Sequence, residues 1–569
     1  MEESIMSENN VLATYFGEGN EVTWKDDEEK GLFWFYDDLH CPNPISPLYF
    51  DIGGWWGQSC EYMYRRFGAP IGSEWIAKKI GGYVYSAVVP PKTDADKVGA
   101  LFEYYTQVMP IYADTFLDRW NKEYVPELEA AGKKIVGFDF SNATIPECLI
   151  HMEDCIDLQD RAFRIHWIIN LAQFQASSAF AAMAGELGAD AELIGKITVS
   201  KDDRNWDSLK ALWEIKEFVL QTPSLKEVFV GDDAKAVMDK LPNVEKGPEL
   251  IAKVDRFKGE YGYKSNYTHE YIYTTWFEDP TPIYNAILTY VGSDYDFYAD
   301  YNKCMEDQAA AIEQLYGMVK DPSKLDELKT ALELCVKMAP ITPNHHFYID
   351  QGIYARMRLM FRSIGEKYAE AGILDDPEDI FMLEYEEIRC AGASKDYAVK
   401  ELVKQRRADM EAAAKTHPRL WYGTATQWQV YEEPYKTLWG YPQVFEAAQA
   451  EEKEAAAGNA ASATVIKGIP GSPGVIEGTA RFVTDPAEFD YIQSGEILIC
   501  KMTNPAWVVT FSNISALVTD TGGALSHPAV VAREFGIPCV VGTRKATQLI
   551  KTGDKIRVDG NKGVVEIIG

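Results

Sequence analysis

The pattern of apolar and polar positions is easiest to interpret near the carboxyl end of the chain. A largely apolar run at residues 514–518 predicts a buried strand, and the glycine-containing residues 519–523 predict the turn that ends it. Pro528 suits the first position of a following helix, and Gly536 suits its left-handed end. The pattern therefore predicts a strand, a glycine turn and a short helix in succession.

Upstream of this region the apolar spacing is mostly helical. Residues 321–323 predict the start of a helix in which leucines recur at helical spacing until Pro340. Thr342 and Pro343 predict the cap and first turn of a long helix that ends near Gly372. A short apolar and aromatic run at residues 82–89 is a candidate strand.

Charge divides the chain into two parts. The 569 residues carry a formal charge of −31, yet residues 464–569 contain ten Lys or Arg and ten Asp or Glu, so the whole acidic excess lies upstream. The border falls where alanine and glutamate dominate and large apolar side chains stop. We therefore expect a large, mostly helical domain at residues 1–450, a flexible linker at 451–463 and a small domain at 464–569.

Composition also narrows the class of function. The acidic excess disfavours nucleic-acid binding, because a polyanion would be repelled. No apolar stretch reaches the length of a membrane span, and the amino terminus lacks the features of a signal peptide. The nine cysteines form no CxxC pair. We expect a cytoplasmic protein without nucleic-acid or membrane partners.

His527 is the first candidate for chemistry. It lies at or just before the predicted helix start, where unpaired backbone N–H groups favour an anion. An imidazole there is poorly placed to be a cation but well placed to carry a phosphoryl group. A capping histidine beside an ordinary glycine turn is the simpler alternative. The nearby residues that are candidates to bind the phosphate are Thr521, Gly522, Gly523, Ser526 and Arg533.

A resemblance strengthens this interpretation. Residues 519–538 read Thr-Asp-Thr-Gly-Gly-Ala-Leu-Ser-His-Pro-Ala-Val-Val-Ala-Arg-Glu-Phe-Gly-Ile-Pro. They resemble the phosphohistidine segment of the mobile domain in the phosphoenolpyruvate synthase and pyruvate phosphate dikinase superfamily. Pro528 departs from the usual alanine, and Leu525 stands where pyruvate phosphate dikinases carry a regulatory threonine. The resemblance implies an α+β protein whose residues 464–569 form a β/β/α swivelling domain that carries phosphate on His527.

Looser blocks upstream resemble the substrate domain of rifampicin phosphotransferases and phenylphosphate synthases. They comprise residues 34–47, with Trp34 and a His-x-Pro-x-Pro run that begins at His40, and residues 260–280 and 356–387. The arrangement most resembles the phosphotransferring subunit of phenylphosphate synthase. It implies a phosphotransferase that phosphorylates a small phenolic substrate. It also implies Mg²⁺, and ATP bound on a partner ATP-grasp subunit.

A phenolic acceptor benefits from a general base, because its pKa is about 10. His345, His346 and Asp350 are the best candidates, since His346 and Asp350 are i,i+4 neighbours on the predicted helix. His40 and Arg356 are candidates, with Trp34, to contact the substrate. Each of these residues also has a structural alternative, as a helix-start pair, a loop residue or a surface ion pair.

Two other functions stay open at this point. One is phosphotransfer to a different hydroxylated acceptor, such as a rifamycin-like antibiotic. The other is a non-catalytic phosphocarrier whose upstream region docks partners. We recognise neither a Gly-x-x-x-x-Gly-Lys-Ser/Thr loop nor an ATP-grasp-like region in the sequence, so we expect nucleotide binding on another polypeptide.

Overall fold

The structure is a computed structural model. It describes residues 21–568 with one long gap at 424–463 and short gaps at 39, 55, 69–71, 91–93, 202, 232, 266, 395, 417, 420, 485, 504–506, 508–509, 512 and 524–525. The linker predicted at 451–463 lies outside the described residues.

The amino-terminal part combines one small antiparallel sheet with many helices. Its strands, in sheet order β2-β3-β1-β4, are β1 (Phe33–Tyr36), β2 (Glu74–Ile80), β3 (Tyr83–Val89) and β4 (Trp421–Gly423). Strand β3 confirms the candidate strand at residues 82–89. The helices are α1 (Asp27–Lys30), α2 (Cys60–Phe67), α3 (Ala95–Arg119), α4 (Val125–Val136), α5 (Ile145–Glu186), α6 (Ala191–Ile197), α7 (Arg204–Gln221), α8 (Pro223–Val228), α9 (Ala234–Lys240), α10 (Gly247–Tyr261), α11 (Thr281–Val291), α12 (Phe297–Met318), α13 (Pro322–Met338), α14 (Ile341–His345), α15 (Gly352–Glu370), α16 (Tyr385–Ala393) and α17 (Lys400–Ala413).

Shorter helical turns connect several of these helices. The π-helical turns are Tyr49–Gly53, Trp120–Tyr124 and His346–Gln351, and the 3₁₀ turns are Trp56–Gln58, Leu241–Asn243 and Pro377–Met382. The third π-helical turn joins α14 to α15 and belongs to the long helix predicted from Thr342. That helix ends just before Gly372, which has a φ of 74°. The predicted end is therefore confirmed, but the predicted start is wrong, because α14 begins at Ile341 after Pro340 without a side-chain cap and Thr342 lies inside its first turn. A π-helical turn that the apolar spacing did not reveal interrupts the helix.

Helix starts in this part follow local capping chemistry. The Asp321 side chain accepts from the backbone N–H of Ser323 at 3.0 Å, so α13 begins where the Asp-Pro-Ser sequence predicted. The longest helix, α5, begins with a reciprocal capping box between Thr144 and Glu147. These caps satisfy backbone donors that would otherwise lose their partners at the helix ends.

The carboxyl-terminal part forms a second sheet, with strand order β5-β12-β11-β7-β8-β9-β10-β6. Strands β7 to β10 are parallel neighbours, and the other pairings are antiparallel. The elements are β5 (Val465–Lys467), β6 (Ile469–Ser472), β7 (Val475–Phe482), β8 (Ile497–Cys500), β9 (Ala516–Thr519), α18 (His527–Glu534), β10 (Cys539–Val541), α19 (Ala546–Leu549), β11 (Lys555–Asp559), β12 (Val564–Ile567) and a 3₁₀ turn at Pro486–Tyr491. Gly536 follows α18 with a φ of 65°. The predicted strand, turn and helix are thus confirmed.

One hydrophobic core crosses the boundary between the two parts. Trp206 and Ile287 of the helical part share it with Trp507 and Phe511 of the carboxyl-terminal part. The ring of Phe535, just after α18, stacks on Trp206 with centroids 6.3 Å apart. The carboxyl-terminal domain is therefore docked against the helices with α18 at the contact.

The architecture confirms the predicted α+β class, with a large, mostly helical region followed by a small sheet domain. None of the described helices combines the length and the apolar composition that crossing a membrane requires.

Candidate phosphohistidine site and facing histidine cluster

His527 stands where a parallel strand passes into a helix. Strand β9 ends at Thr519, and α18 starts at His527, with Ser526 as the extended residue before it and Pro528 in its first turn. In the turn between them, Gly522 has a φ of 102°, and a Cβ there would lie 2.6 Å from the Ser526 hydroxyl. The glycine is needed because both the backbone conformation and the space exclude a side chain.

The two nitrogens of the His527 imidazole have different surroundings. Nδ1 lies 3.0 Å from the Thr503 hydroxyl, whereas Nε2 is buried and has no hydrogen-bond partner among the described residues. Burial, followed by the charge of His346, lowers the pKa of His527 to about 3. The imidazole is therefore neutral near pH 7, with one nitrogen held and the other available.

The hydroxyls of two predicted phosphate ligands, Ser526 and Thr521, donate to backbone carbonyls. The Ser526 hydroxyl donates to the carbonyl of Gly523 at 2.7 Å. The Thr521 hydroxyl donates to the carbonyl of Lys501 at 3.2 Å. The contact with the imidazole comes instead from Thr503. Thr521 thus shapes the turn, and Thr503 orients the ring.

Arg533 lies further along α18. Its Nε donates to the carbonyl of Ala529 at 2.9 Å. Its side chain packs so closely on Gly195 of α6 that a Cβ there would lie 2.9 Å from the arginine Cδ. The structure therefore places Arg533 at the contact between the two domains, and its phosphate role stays a prediction.

Two basic residues connect the carboxyl-terminal domain to the His-x-Pro-x-Pro loop. Arg544 pairs with Asp38, and both side chains are at least nine-tenths buried. The Lys501 ammonium donates to the carbonyl of Pro42 and lies 3.4 Å from Oδ1 of Asn43. These contacts hold the loop against the domain that carries His527.

His40 lies in that loop beside a second histidine. Its Nδ1 is 2.7 Å from Oδ1 of Asp37, and its ring meets the edge of His269 at 5.2 Å between centroids. Burial is the largest influence on the pKa of His40 and lowers it, but the charge and hydrogen bond of Asp37, with the charges of Asp350 and Asp38, together leave the pKa raised. Nδ1 of His269 contacts the hydroxyl of Tyr49 at 3.1 Å. The sequence motif had not indicated His269.

The π-helical turn His346–Gln351 brings the predicted base candidates together. Nδ1 of His346 hydrogen-bonds to Oδ2 of Asp350, as the i,i+4 spacing predicted. His345 is buried, and its Nδ1 faces the carbonyl of Ile341 at 3.1 Å. Burial raises the pKa of Asp350, but the charges of His166 and His346 prevail and hold it well below its usual range. Asp350 is thus an anion shared among imidazoles.

His166 is the further member of this cluster, contributed by the long helix α5. Its Nδ1 lies 3.1 Å from Oδ1 of Asp350, and its ring meets His345 with centroids 4.8 Å apart. A single histidine in an apolar helix carries no spacing signal that links it to the π-helical turn. Sequence reasoning missed it for that reason.

The two remaining candidates for substrate contact, Trp34 and Arg356, make contacts with other parts of the helical domain and its sheet. Trp34 is buried in the core on one face of the small sheet, and its Nε1 donates to the carbonyl of Glu29 at 2.7 Å. The Arg356 guanidinium lies over the ring of Tyr263, 3.7 Å from its centroid. Neither residue is placed in contact with His527, so their substrate roles stay predictions.

One group among the described residues has the spacing of a metal site, namely His166, His345 and Asp350. Its donors are two imidazole nitrogens and one carboxylate oxygen, whereas Mg²⁺ takes oxygen ligands in an octahedral arrangement. This group therefore does not fit the Mg²⁺ that the resemblance implied, and no step here is assigned to that ion.

Two family models match segments of the amino-acid sequence that contribute to these sites. Residues 492–563 match the mobile domain of PEP-utilising enzymes, and residues 166–341 match the fourth domain of rifampicin phosphotransferase. The first segment contains His527 and Thr503, and the second contains His166 and ends just before the π-helical turn.

Among the similar proteins, one matches nearly the whole chain and two match part of it. The chain is 26% identical over 551 residues, 95% of its length, to the uncharacterized phosphotransferase YvkC of Bacillus subtilis, of which it covers 62%. It is 26% identical over 364 residues, 63% of its length, to a rifampicin phosphotransferase of Bacillus cereus, of which it covers 39%. It is 48% identical over 103 residues, 18% of its length, to a probable phosphoenolpyruvate synthase of Staphylothermus marinus, of which it covers 12%.

These similarities support placing the chain in the superfamily of PEP-utilising enzymes and rifampicin phosphotransferases. The chain spans less than two thirds of the length of each of these three relatives. The finer assignment to phenylphosphate synthase stays a prediction.

Proposed function

We propose that this protein is a phosphotransferase that carries a phosphoryl group on Nε2 of His527 and transfers it to a phenol-type hydroxyl. The observation that carries the proposal is the buried Nε2 atom of His527, which lies at a helix start and has no hydrogen-bond partner among the described residues. Burial lowers the pKa of His527, and the charge of His346 contributes to the same shift. A neutral imidazole in this setting is a phosphoryl carrier rather than a surface cation.

On the carrier side, the Thr503 contact fixes the reactive tautomer. When Nδ1–H donates to the Thr503 oxygen, the lone pair of His527 resides on Nε2, where phosphorus binds. Backbone N–H groups at the start of α18 favour the added negative charge. Phosphoryl transfer in line needs such positioning and charge stabilisation more than covalent assistance.

On the acceptor side, His346 is the proposed general base. Its Nδ1–H donates to Asp350, which leaves Nε2 free to take a proton. The side chain of His346 is 32% exposed, compared with 4% for His345. The acceptor O–H gives its proton to His346, the O–P bond forms, and the N–P bond breaks with its electron pair returning to Nε2 of His527.

We propose that ATP loads His527 through an ATP-grasp partner subunit, with Mg²⁺ bound beside the nucleotide. The support is the resemblance of both matched segments to enzymes that use this chemistry. A cytoplasmic location accords with the same family resemblance. Incubation of the chain with ATP and a separately expressed ATP-grasp protein tests this part directly.

A rifamycin-like antibiotic is the second candidate acceptor. The match of residues 166–341 to a rifampicin phosphotransferase domain specifically favours it. A panel containing phenol, substituted phenols and rifampicin therefore separates the two. The protein would instead be a phosphocarrier if it becomes phosphorylated but transfers the label to none of a broad set of hydroxyl-containing compounds.

The central experiment follows ³²P through the protein. His527→Ala should abolish labelling of the chain while leaving the circular dichroism spectrum unchanged. His346→Gln should accept label on His527 but transfer it to the acceptor at least about 100-fold more slowly, which is the lower end of the usual range for loss of a general base. Label on another residue would overturn the carrier assignment, and normal transfer by His346→Gln would overturn the base assignment.

A further inference from the structure

The cluster of His166, His345 and Asp350 has a geometry that hydrogen bonding does not explain. Nδ1 of His345 faces the carbonyl of Ile341 at 3.1 Å, so this nitrogen carries the proton and donates it. The other nitrogen, Nε2, then points a lone pair toward Oδ2 of Asp350 at 3.6 Å. A hydrogen bond does not span that separation. Two electron-rich atoms therefore face each other in a buried site.

A cation between these atoms would remove the conflict. The ligand atoms of the three residues all lie within 4.8 Å of one another. His345 and Asp350 are buried, and the side chain of His166 is only 13% exposed. Zn–N and Zn–O bonds of about 2.0–2.2 Å place neighbouring ligands of a tetrahedral ion roughly 3.3–3.5 Å apart. Nδ1 of His166 lies 3.1 Å from Oδ1 of Asp350, and Nε2 of His345 lies 3.6 Å from Oδ2, so both nitrogens lie near this distance from a carboxylate oxygen.

We propose that His166, His345 and Asp350 form a binding site for a divalent transition-metal ion of the Zn²⁺ class. Two imidazoles and one carboxylate are the donors that such ions prefer, and three protein ligands leave a coordination position open. Asp350 would bind the ion through its carboxylate group, whose Oδ2 also accepts the hydrogen bond from His346. His346 would then be oriented by a ligand of the metal, as outer-shell histidines commonly are.

Metal content tests this proposal independently of phosphotransfer. The full chain, stripped with a chelator, should take up about one Zn²⁺ or Co²⁺ with a Kd tighter than about 1 μM, and Co²⁺ should give the visible absorption of a low-coordinate site. His345→Ala and His166→Ala should each weaken binding by at least about 100-fold, because even outer-shell losses cost about 10- to 100-fold.

Two controls keep the test decisive. His151→Ala removes another buried histidine of α5, one that contacts the carbonyl of Ile135, and should retain the metal. His527→Ala should also retain it, so failure of phosphorylation and failure of metal binding are distinguishable. If a variant folds poorly, binding is tested on the native chain instead, whose thermal unfolding midpoint should rise when Zn²⁺ is added. No uptake by the native chain, or equal uptake by His345→Ala, would overturn the site.

Discussion

Replacing Thr503 with valine tests how the His527 imidazole is oriented. Thr503 is buried, and its hydroxyl is the described contact of Nδ1 at 3.0 Å. Valine keeps the shape of the side chain but removes the oxygen. The buried Nδ1–H then has no acceptor at the moment when attack by Nε2 on phosphorus makes that proton more acidic.

The size of the effect follows from the single hydrogen bond. A typical intramolecular hydrogen bond contributes about 0.5–1.5 kcal/mol. At about 1.4 kcal/mol for each factor of ten, loss of this bond slows phosphorylation of His527 by about 2- to 12-fold. Burial keeps the ring neutral, since the pKa of His527 is lowered to about 3, so the loss should not depend on pH between 6 and 8.

The assay measures the rate at which His527 is phosphorylated by saturating phosphoramidate, or by ATP with the nucleotide-binding subunit. Thr503→Ser is the matched control, because it restores the hydroxyl and should recover most of the native rate. An undiminished rate in Thr503→Val would refute the proposed orientation. A serine variant as slow as the valine variant would show that packing, not the hydrogen bond, matters.

Three further predictions concern stability and docking. Burial lowers the pKa of Lys264 to about 7. Between about pH 7 and 10.5 the unfolded chain therefore binds more protons than the folded chain, so the free energy of unfolding rises with pH in this range. Lys264→Met should therefore raise the unfolding free energy by at most about 5 kcal/mol at pH 7, and by progressively less toward pH 10 in urea titrations. Arg544→Met leaves the buried Asp38 carboxylate without its partner, which lowers the stability of the docked state by about 3–5 kcal/mol. This variant should transfer the phosphoryl group to the acceptor more slowly, while phosphorylation of His527 is unchanged. The double variant with Asp38→Asn should recover the transfer rate. Gly522→Ala, at a φ of 102°, should destabilise by about 1–3 kcal/mol in urea, and by more than Gly536→Ala, whose Cβ would meet open space.

Each of these three predictions has a definite contrary result. A Lys264→Met gain that is equal at every pH would assign the effect to packing rather than to charge. Unchanged transfer in Arg544→Met would show that the ion pair does not hold the docked state. Equal losses at the two glycines would mean that the crowding beside Gly522 is relieved by a small shift.

Much of the local structure was predictable because neighbouring residues determine it. The strand, glycine turn and helix around His527 form where the apolar run, Gly522 and Gly536 predicted them. Helix α13 begins at its aspartate cap for the same reason. The pairing of His346 with Asp350 also follows from spacing alone. Each of these features depends on side chains only a few positions apart.

The sequence by itself thus determined the class of fold and the histidine that carries the proposed chemistry. Only the tertiary structure decided which residues that histidine meets. Thr503 rather than Thr521 contacts the imidazole, and Trp34 is buried in a separate core. His166 reaches Asp350 from another helix, and Arg544 reaches Asp38 from another domain. Such contacts arise from the packing of a core shared by distant segments, and no local spacing encodes them.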